Sequence, residues 1–379
     1  MALRSSAGLR CPLGSSVDAR SPAHSTGAVW FHPLVKIGII APPWAPIPPD
    51  LYGGIEQAVD CECRGLVAAG HDVLLYTTGD STCPVPSQWH LEHSEGARIG
   101  FSVPELRHVL AAYDAVEGCD IVHDHTMMGP VIHAESGRPG VPVVTTIHGP
   151  LNVELLDIYS QIASEVPLIA ISHAQLLDHA ELPIEAVIHH GVDVGDFPIG
   201  AGDGGYCLYL GRMVAEKGAH RAIAAARQAG MRILLAGKMR EPWETSYFES
   251  EIEPLLGDDA QYLGEVPLDE KRQLLAGASA TLFPIRWNEP FGLVMLESLA
   301  CGTPVLAFAE GAAPEVVADG RTGYLCRDES EMAAALTGIG AIDRAECRAD
   351  VEVRFSTERM AREHAELFER IISRRRAAM

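Results

Sequence analysis

The chain has 379 residues, of which 47% are hydrophobic and 21% charged, and its formal net charge is −22. This length exceeds what one hydrophobic core usually serves, so we expect two domains in a globular protein. The negative charge argues against nucleic-acid partners and gives no support to peripheral membrane contact, and no apolar run is long enough to span a bilayer. An anionic substrate would therefore need a local cluster of positive side chains.

The first 34 residues differ in composition from the rest. Residues 1–34 are rich in Ser, Arg, Ala, Gly and Pro and lack the apolar core of a secretory signal. We predict a disordered leader, or an over-extended start site with Val35 as the true beginning. The nine cysteines are scattered and odd in number, which is typical of reduced packing thiols in a cytoplasmic protein.

Strand and helix patterns alternate from Val35 onwards, pause in the Gly-rich stretch IGAGDGG, and then restart. The alternation predicts an α/β protein with two doubly wound, Rossmann-like domains and parallel sheets. We expect the first domain over residues 35–198, the second over 199–355, and a long helix over 356–379. Ligands of such sheets bind beyond the carboxyl ends of the strands, so the cleft between the domains is the expected site.

Glycines and histidines follow predicted strands of the first domain. Gly53 and Gly54 precede a helix whose free N–H groups suit an anion, although glycine pairs also serve ordinary turns. His125 ends the strand CDIVHDH, and His148 ends PVVTTIH. Histidines at the ends of neighbouring strands can converge on one ligand. No further close ligand set accompanies them, so we expect no metal site.

Two cations follow the first strand of the second domain. Arg212 ends YCLYLGR, and Lys217 lies five residues further on, in the turn that leads to a helix. A lone Arg or Lys is usually surface charge, but two at this edge suit a diphosphate, with Arg binding planar oxygens and Lys acting as a point charge.

The stretch NEPFGLVMLE carries two glutamates with seven residues between them. Pro290 excludes the residue before it from helical geometry and suits the first helical position, so we predict a helix from about Pro290 with Glu289 at its mouth. Glu297 would then lie about 80° around the helix axis from Glu289 and about 12 Å further along that axis. The carboxylates would address different parts of one long ligand. The amides that would face an anion at the mouth belong to Phe291, Gly292 and Leu293.

These segments resemble retaining glycosyltransferases of the GT-B fold, most closely family 4. NEPFGLVMLE is similar to that family's E-x(7)-E motif, and LYLGRMVAEKG to its G-R-x(3)-K-G segment. The segments LYGGIE, IVHDH, VIHHGVD and GAAPEVVADGRTGYL fall in family order. The resemblance covers roughly residues 36–355. It departs at His189-His190, where family members commonly show Pro-Asn.

The resemblance implies a role for each matching residue of the second domain. Arg212 and Lys217 would bind the pyrophosphate of a nucleotide-diphosphate sugar, Glu289 the hydroxyls of the transferred sugar, and Glu297 the nucleotide ribose. The backbone of Phe291, Gly292 and Leu293 would help to hold sugar and phosphate.

The resemblance also implies roles for the first domain and the last helix. Gly53 and Gly54 would approach the phosphate, His125 would contact the sugar near the reacting carbon, and His148 would lie behind it or on the acceptor side. The final helix would pack back on the first domain. The role of Glu315, in a weaker match, stays open.

The implied activity is metal-independent, front-face transfer of a hexose with retention, without a cofactor. The acceptor would be a hydroxyl of a sugar, lipid or small molecule. Two alternatives stay open: a sugar phosphorylase or donor hydrolase on the same fold, and a non-catalytic protein that binds nucleotide sugars.

Overall fold

The computed structural model of the protein describes residues 34–51, 53–136 and 140–378. Leu34–Met379 forms one compact unit. The expected leader lies outside the described residues, apart from Leu34. The cysteines within the described ranges are free thiols and buried.

The first half of the chain forms a seven-stranded parallel sheet whose strands run in the order β3-β2-β1-β4-β5-β6-β7. The strands are β1 (Lys36–Ile40), β2 (Asp72–Thr77), β3 (Ser87–Trp89), β4 (Ile121–Asp124), β5 (Val143–Ile147), β6 (Leu168–Ala170) and β7 (Ile184–Val187). The central strands β4 and β5 are buried on both faces, as expected of a parallel sheet covered by helices.

The second half forms a six-stranded parallel sheet in the order β10-β9-β8-β11-β12-β13. Its strands are β8 (Tyr206–Leu210), β9 (Arg232–Ala236), β10 (Ala260–Tyr262), β11 (Thr281–Phe283), β12 (Val305–Phe308) and β13 (Gly323–Cys326). The two sheets confirm the predicted fold class. The exact domain boundaries stay predictions.

Helices connect the strands of both sheets and cover their faces. They are α1 (Gly54–Ala68), α2 (Ser102–Ala115), α3 (Met128–Ser136), α4 (Val153–Ile162), α5 (Ala219–Gln228), α6 (Pro242–Tyr247), α7 (Leu268–Gly277), α8 (Leu293–Ala300), α9 (Ala313–Val316), α10 (Glu329–Thr337), α11 (Arg344–Arg354) and α12 (Thr357–Ala378). Within the described ranges, none of these helices combines the length and the apolar character that crossing a bilayer requires.

The last helix, α12, packs on α1 of the first half. Met360 and Phe368 of α12 are buried in the same apolar cluster as Val59 and Leu66 of α1. The helices touch closely at Gly65, where a Cβ atom would lie 2.8 Å from Cβ of Ala361. A larger residue there would push α12 away.

The helix that follows Glu289 begins later than predicted. α8 starts at Leu293, and Gly292 before it has a φ of 88°. This left-handed residue interrupts any helical path from Pro290, so the expected start near Pro290 is wrong. Glu289 therefore lies in a loop, and the expected 80° rotation between Glu289 and Glu297 does not apply.

Candidate active site

A cleft of about 800 Å³ lies between the carboxyl ends of the two sheets. The loops after β1 and β5 line it from the first half, and those after β8 and β11 from the second. The predicted site residues that line it are Gly53, Gly54, His148, Arg212, Lys217, Glu289, Phe291, Gly292, Leu293 and Glu297. Their individual roles toward a ligand stay predictions.

Lys217 and Glu289 form an ion pair in the cleft. Nζ of Lys217 donates to Oε2 of Glu289, and the indole Nε1 of Trp287 donates to the same oxygen at 2.6 Å. Nζ also lies 5.2 Å from the centre of the Trp287 ring, within reach of a cation–π attraction. Trp287 therefore fixes the position of both charged groups.

Arg212 is held by a carboxylate that the sequence did not single out. Its Nε and Nη2 atoms lie 2.8 and 2.7 Å from Oε1 of the fully buried Glu244. The other oxygen of Glu244 accepts from the backbone N–H groups of Arg240 and Glu241. Burial alone would raise the pKa of Glu244, but these hydrogen bonds and the guanidinium lower it. The ionised Glu244 fixes the orientation of Arg212.

The N-terminus of α8 faces the cleft between the two halves. A Cβ atom on Gly54 would lie 3.8 Å from Cδ1 of Leu293, so the glycine pair of the first half approaches this helix end directly. The free N–H groups of the first turn and the helix dipole favour an anion here.

One turn further along α8, Glu297 is buried and accepts from Nζ of Lys271 at 2.6 Å. Lys271 lies on α7 and also lines the cleft. Sequence reasoning missed it, because its contact with Glu297 depends on how two helices pack. A carboxylate that is already paired with a cation can still accept hydroxyl hydrogen bonds through its second oxygen.

His125 does not line the cleft. Its ring lies behind His148, with Nδ1 2.8 Å from Nε2 of His148. His148 stacks on His190 at a centroid distance of 5.3 Å, and His190 meets the Phe291 ring edge to face at 5.2 Å. Among the described residues, His148 and His190 are therefore the histidines that reach the cleft, and the expected direct contact between His125 and the sugar does not fit this position.

One group of side chains has the chemistry of metal ligands. Within the described ranges, ligand atoms of Glu62, His123 and His364 lie within 4.8 Å of one another, and all three residues are buried. The expectation of no metal and no cofactor stays a prediction.

Glu315 connects the two halves next to the cleft. Its carboxylate accepts from the backbone N–H groups of His173 and Ala174, at 3.0 and 2.6 Å, and lies 2.7 Å from Nε2 of His189. His189, one of the departures from the family pattern, thus takes part in a contact between the halves.

Two parallel α/β sheets that face a shared cleft form the architecture of the GT-B class of glycosyltransferases. Family comparison agrees: residues 52–196 match the model "Glycosyltransferase Family 4", and residues 199–349 match "Glycosyl transferases group 1". The chain belongs to the family 4 glycosyltransferases of the GT-B fold, and it is an enzyme.

Sequence similarity to named relatives covers most of the chain. A glycogen synthase of Mycobacterium tuberculosis (strain ATCC 25618 / H37Rv) is 26% identical over 349 residues, which cover 77% of this chain and 83% of the relative. A D-inositol 3-phosphate glycosyltransferase of Mycobacterium avium (strain 104) is 30% identical over 290 residues and 66% of each chain.

Solved structures show the same fold. AviGT4, a glycosyltransferase involved in avilamycin A biosynthesis, has a TM-score of 0.68 at 24% identity, over 89% of this chain and 98% of its own. Anabaena Alr3699/HepE, solved with UDP and glucose, has a TM-score of 0.70 at 20% identity, over 88% and 99% of the two chains.

Proposed function

We propose that the protein transfers a hexose from a nucleoside-diphosphate sugar to an acceptor hydroxyl, with retention of anomeric configuration and without a metal ion. The observation that carries the proposal is the placement of Arg212, Lys217 and the N-terminus of α8 around one cleft. One relative is named a glycogen synthase, and HepE was solved in complex with UDP-glucose. Both support a nucleoside-diphosphate hexose as the donor.

In this proposal the diphosphate lies beside Arg212 and Lys217. As the bond between the anomeric carbon and the phosphate oxygen stretches, negative charge grows on the leaving diphosphate. Two fixed cations and the helix dipole stabilise that charge without having to reorganise. Together they take the part that a divalent ion plays elsewhere.

The carboxylates of the cleft then serve binding. Glu289 accepts hydroxyls of the transferred sugar, and Glu297 accepts those of the ribose, one turn of α8 away from the helix mouth. Oε2 of Glu289 accepts from the indole N–H of Trp287, and we assign this carboxylate to hydroxyl binding and not to nucleophilic attack. We propose front-face attack, in which the acceptor hydroxyl bonds to the anomeric carbon while its proton passes to the leaving phosphate oxygen.

The stereochemistry of the product tests this reaction directly. The protein would be incubated with UDP-glucose or ADP-glucose, together with glycogen or D-inositol 3-phosphate, and the product followed by proton NMR. We expect an α-linked product from an α-linked donor and an unchanged rate in EDTA. A β-linked product would contradict retention, and loss of turnover in EDTA would contradict metal independence.

A further inference from the structure

A carboxylate and five imidazoles form a buried network behind the cleft. Its members are Glu62 of α1, His123, His125, His148, His190 and, from α12, His364. All of these except His123 line a cavity of about 10 Å³, roughly the space that one water molecule needs. His148 and His190 also line the cleft, so the network adjoins the candidate active site.

The first contact of the network fixes the protonation of His123. Its Nδ1 atom lies 2.6 Å from Oε1 of Glu62, and its Nε2 atom lies 2.8 Å from Oγ1 of Thr146. An ionised carboxylate only accepts hydrogen bonds, so Nδ1 of His123 carries the proton and Nε2 accepts from the Thr146 hydroxyl.

The second contact fixes His125. Its Nε2 atom lies 3.3 Å from Oε2 of Glu62 and makes no fully formed hydrogen bond within the described part of the chain. A lone pair at this place would repel the carboxylate, whereas an N–H group is attracted to it. The carboxylate therefore selects the tautomer of His125 with the proton on Nε2 and the lone pair on Nδ1.

The third contact determines the tautomer of His148. Nδ1 of His125 and Nε2 of His148 are 2.8 Å apart, so one of them must donate. Since Nδ1 of His125 carries the lone pair, Nε2 of His148 carries the proton, and Nδ1 of His148 is left as an acceptor. Among the described residues this buried Nδ1 atom has no partner. Burial lowers the pKa of both His125 and His148, which keeps both rings neutral.

We propose that Glu62 is a positioning residue that, through His125, fixes the tautomer of His148 so that Nδ1 accepts a hydrogen bond from a hydroxyl of the bound sugar. The hydroxyl as ligand rests on the proposed function, whereas the tautomer is a property of the protein alone. His148 lines the cleft, and a sugar hydroxyl that displaces the covering side chains as the donor enters would supply the donor that the buried Nδ1 atom lacks.

The wild-type protein provides the first test, without turnover. Nitrogen-15 NMR of protein labelled in histidine distinguishes N–H nitrogens from lone-pair nitrogens, and a His148→Gln variant assigns the His148 signals by their loss. We expect His148 with the proton on Nε2. A proton on Nδ1, or a fully protonated ring at neutral pH, would overturn the proposal even if no Glu62 variant folds.

A substitution of equal size provides the second test. In Glu62→Gln, the amide oxygen can still accept from His123, while the amide N–H₂ group faces Nε2 of His125. This reverses the tautomers of His125 and His148 and turns Nδ1 of His148 into a donor. We expect kcat/KM for the donor to fall by about tenfold or more, because Nδ1 of His148 no longer accepts a hydrogen bond from the sugar hydroxyl.

Asp60→Asn is the matched control, because Asp60 lies on the same helix, is buried and pairs instead with Arg64 at 2.9 Å. It should leave the His148 signals and kcat/KM for the donor unchanged. The proposal fails if Glu62→Gln keeps the wild-type tautomer, or if elemental analysis finds one transition-metal ion per chain that is lost with Glu62. Absence of transfer by the wild type would instead refute the proposed function, because the NMR result does not depend on activity.

Discussion

Lys217 donates through Nζ to the carboxylate of Glu289, although the two residues are 72 positions apart in the chain. Without a ligand, each of the two charges is neutralised by the other. In the proposed reaction, a diphosphate would compete with Glu289 for Lys217 and leave Glu289 free to accept hydroxyls of the sugar. The pair would then connect occupation of the phosphate site with exposure of the sugar site.

Glu289→Gln distinguishes the binding of sugar hydroxyls by Glu289 from its competition with the diphosphate for Lys217. We expect kcat/KM for the donor to fall about 10- to 100-fold, because a hydrogen bond to a charged group contributes about 1.5–3 kcal/mol. The affinity for UDP should stay the same or rise, since Lys217 loses its competing partner. Calorimetric titration with UDP and a turnover assay measure the two effects. Glu310→Gln, which neutralises a more exposed partner of Arg286, is the control, and a loss of UDP affinity with unchanged turnover would contradict the assignment.

Glu297→Gln tests the contact with the ribose. If Glu297 accepts ribose hydroxyls, the variant should bind UDP about 10-fold or more weakly, in line with a lost charged hydrogen bond. A 2′,3′-dideoxy analogue lacks those hydroxyls, so wild type and variant should bind it equally. Titration of both nucleotides measures the difference, and equal losses for the two would show that Glu297 acts only through Lys271.

Gly292→Ala tests the helix mouth. The left-handed φ of 88° disfavours any side chain, and the new Cβ would lie 2.7 Å from Cζ of Phe283. Gly320→Ala is the control, because its φ is 74° but its Cβ would meet no atom within 4 Å. Gly320→Ala should lower the free energy of unfolding by about 1–2 kcal/mol, and Gly292→Ala should lower it further. Urea unfolding measures both free energies. Equal losses in the two variants would show that the Phe283 side chain moves aside at no cost in stability.

Glu315 should make stability depend on pH. Burial alone would raise its pKa, but hydrogen bonds from His189 and from the backbone of His173 and Ala174 lower it below the ordinary value of 4.5. A lowered carboxylate pKa stabilises the folded state above about 4.5, and this contribution is lost as the pH falls through the folded-state pKa.

Unfolding of wild type and Glu315→Gln at a series of pH values measures that contribution. The difference in their free energies of unfolding should be constant from pH 7 to about 5 and should shrink below pH 4.5. A difference that does not change with pH would mean that the charge of Glu315 does not stabilise the fold.

Local patterns predicted the fold and identified site residues that, apart from His125, all line the cleft. Buried runs such as VKIGIIA and helical spacing identify parallel α/β layers, and residues at strand ends such as Arg212 and His148 reach the cleft because the topology brings those ends together. The start of α8 was missed because Pro290 is compatible with a first helical position, whereas nothing in the local sequence requires the left-handed φ of 88° at Gly292.

Contacts between distant segments account for the remaining differences. The E-P-W-E spacing is a capping signal for α6, but nothing in it indicates that Glu244 turns toward Arg212. Glu62 lies in a helical pattern as one more polar residue, and only the packing of α1 on β4 brings it to His123. The order of His125 behind His148 likewise depends on side-chain directions that strand position does not determine.

Binding of nucleotide sugars tests the central claim most directly. A thermal-shift screen would compare UDP-glucose, ADP-glucose and GDP-mannose on wild type, on Arg212→Ala/Lys217→Ala, and on Arg227→Ala/Arg232→Ala, which removes the same charge elsewhere in the second half. At 100 times its Kd, a ligand stabilises the folded state by about 2.7 kcal/mol. We predict that at least one donor raises the Tm of wild type and of the control but not of the cleft variant. No shift in the wild type with any donor, or an equal shift in the cleft variant, would contradict the account.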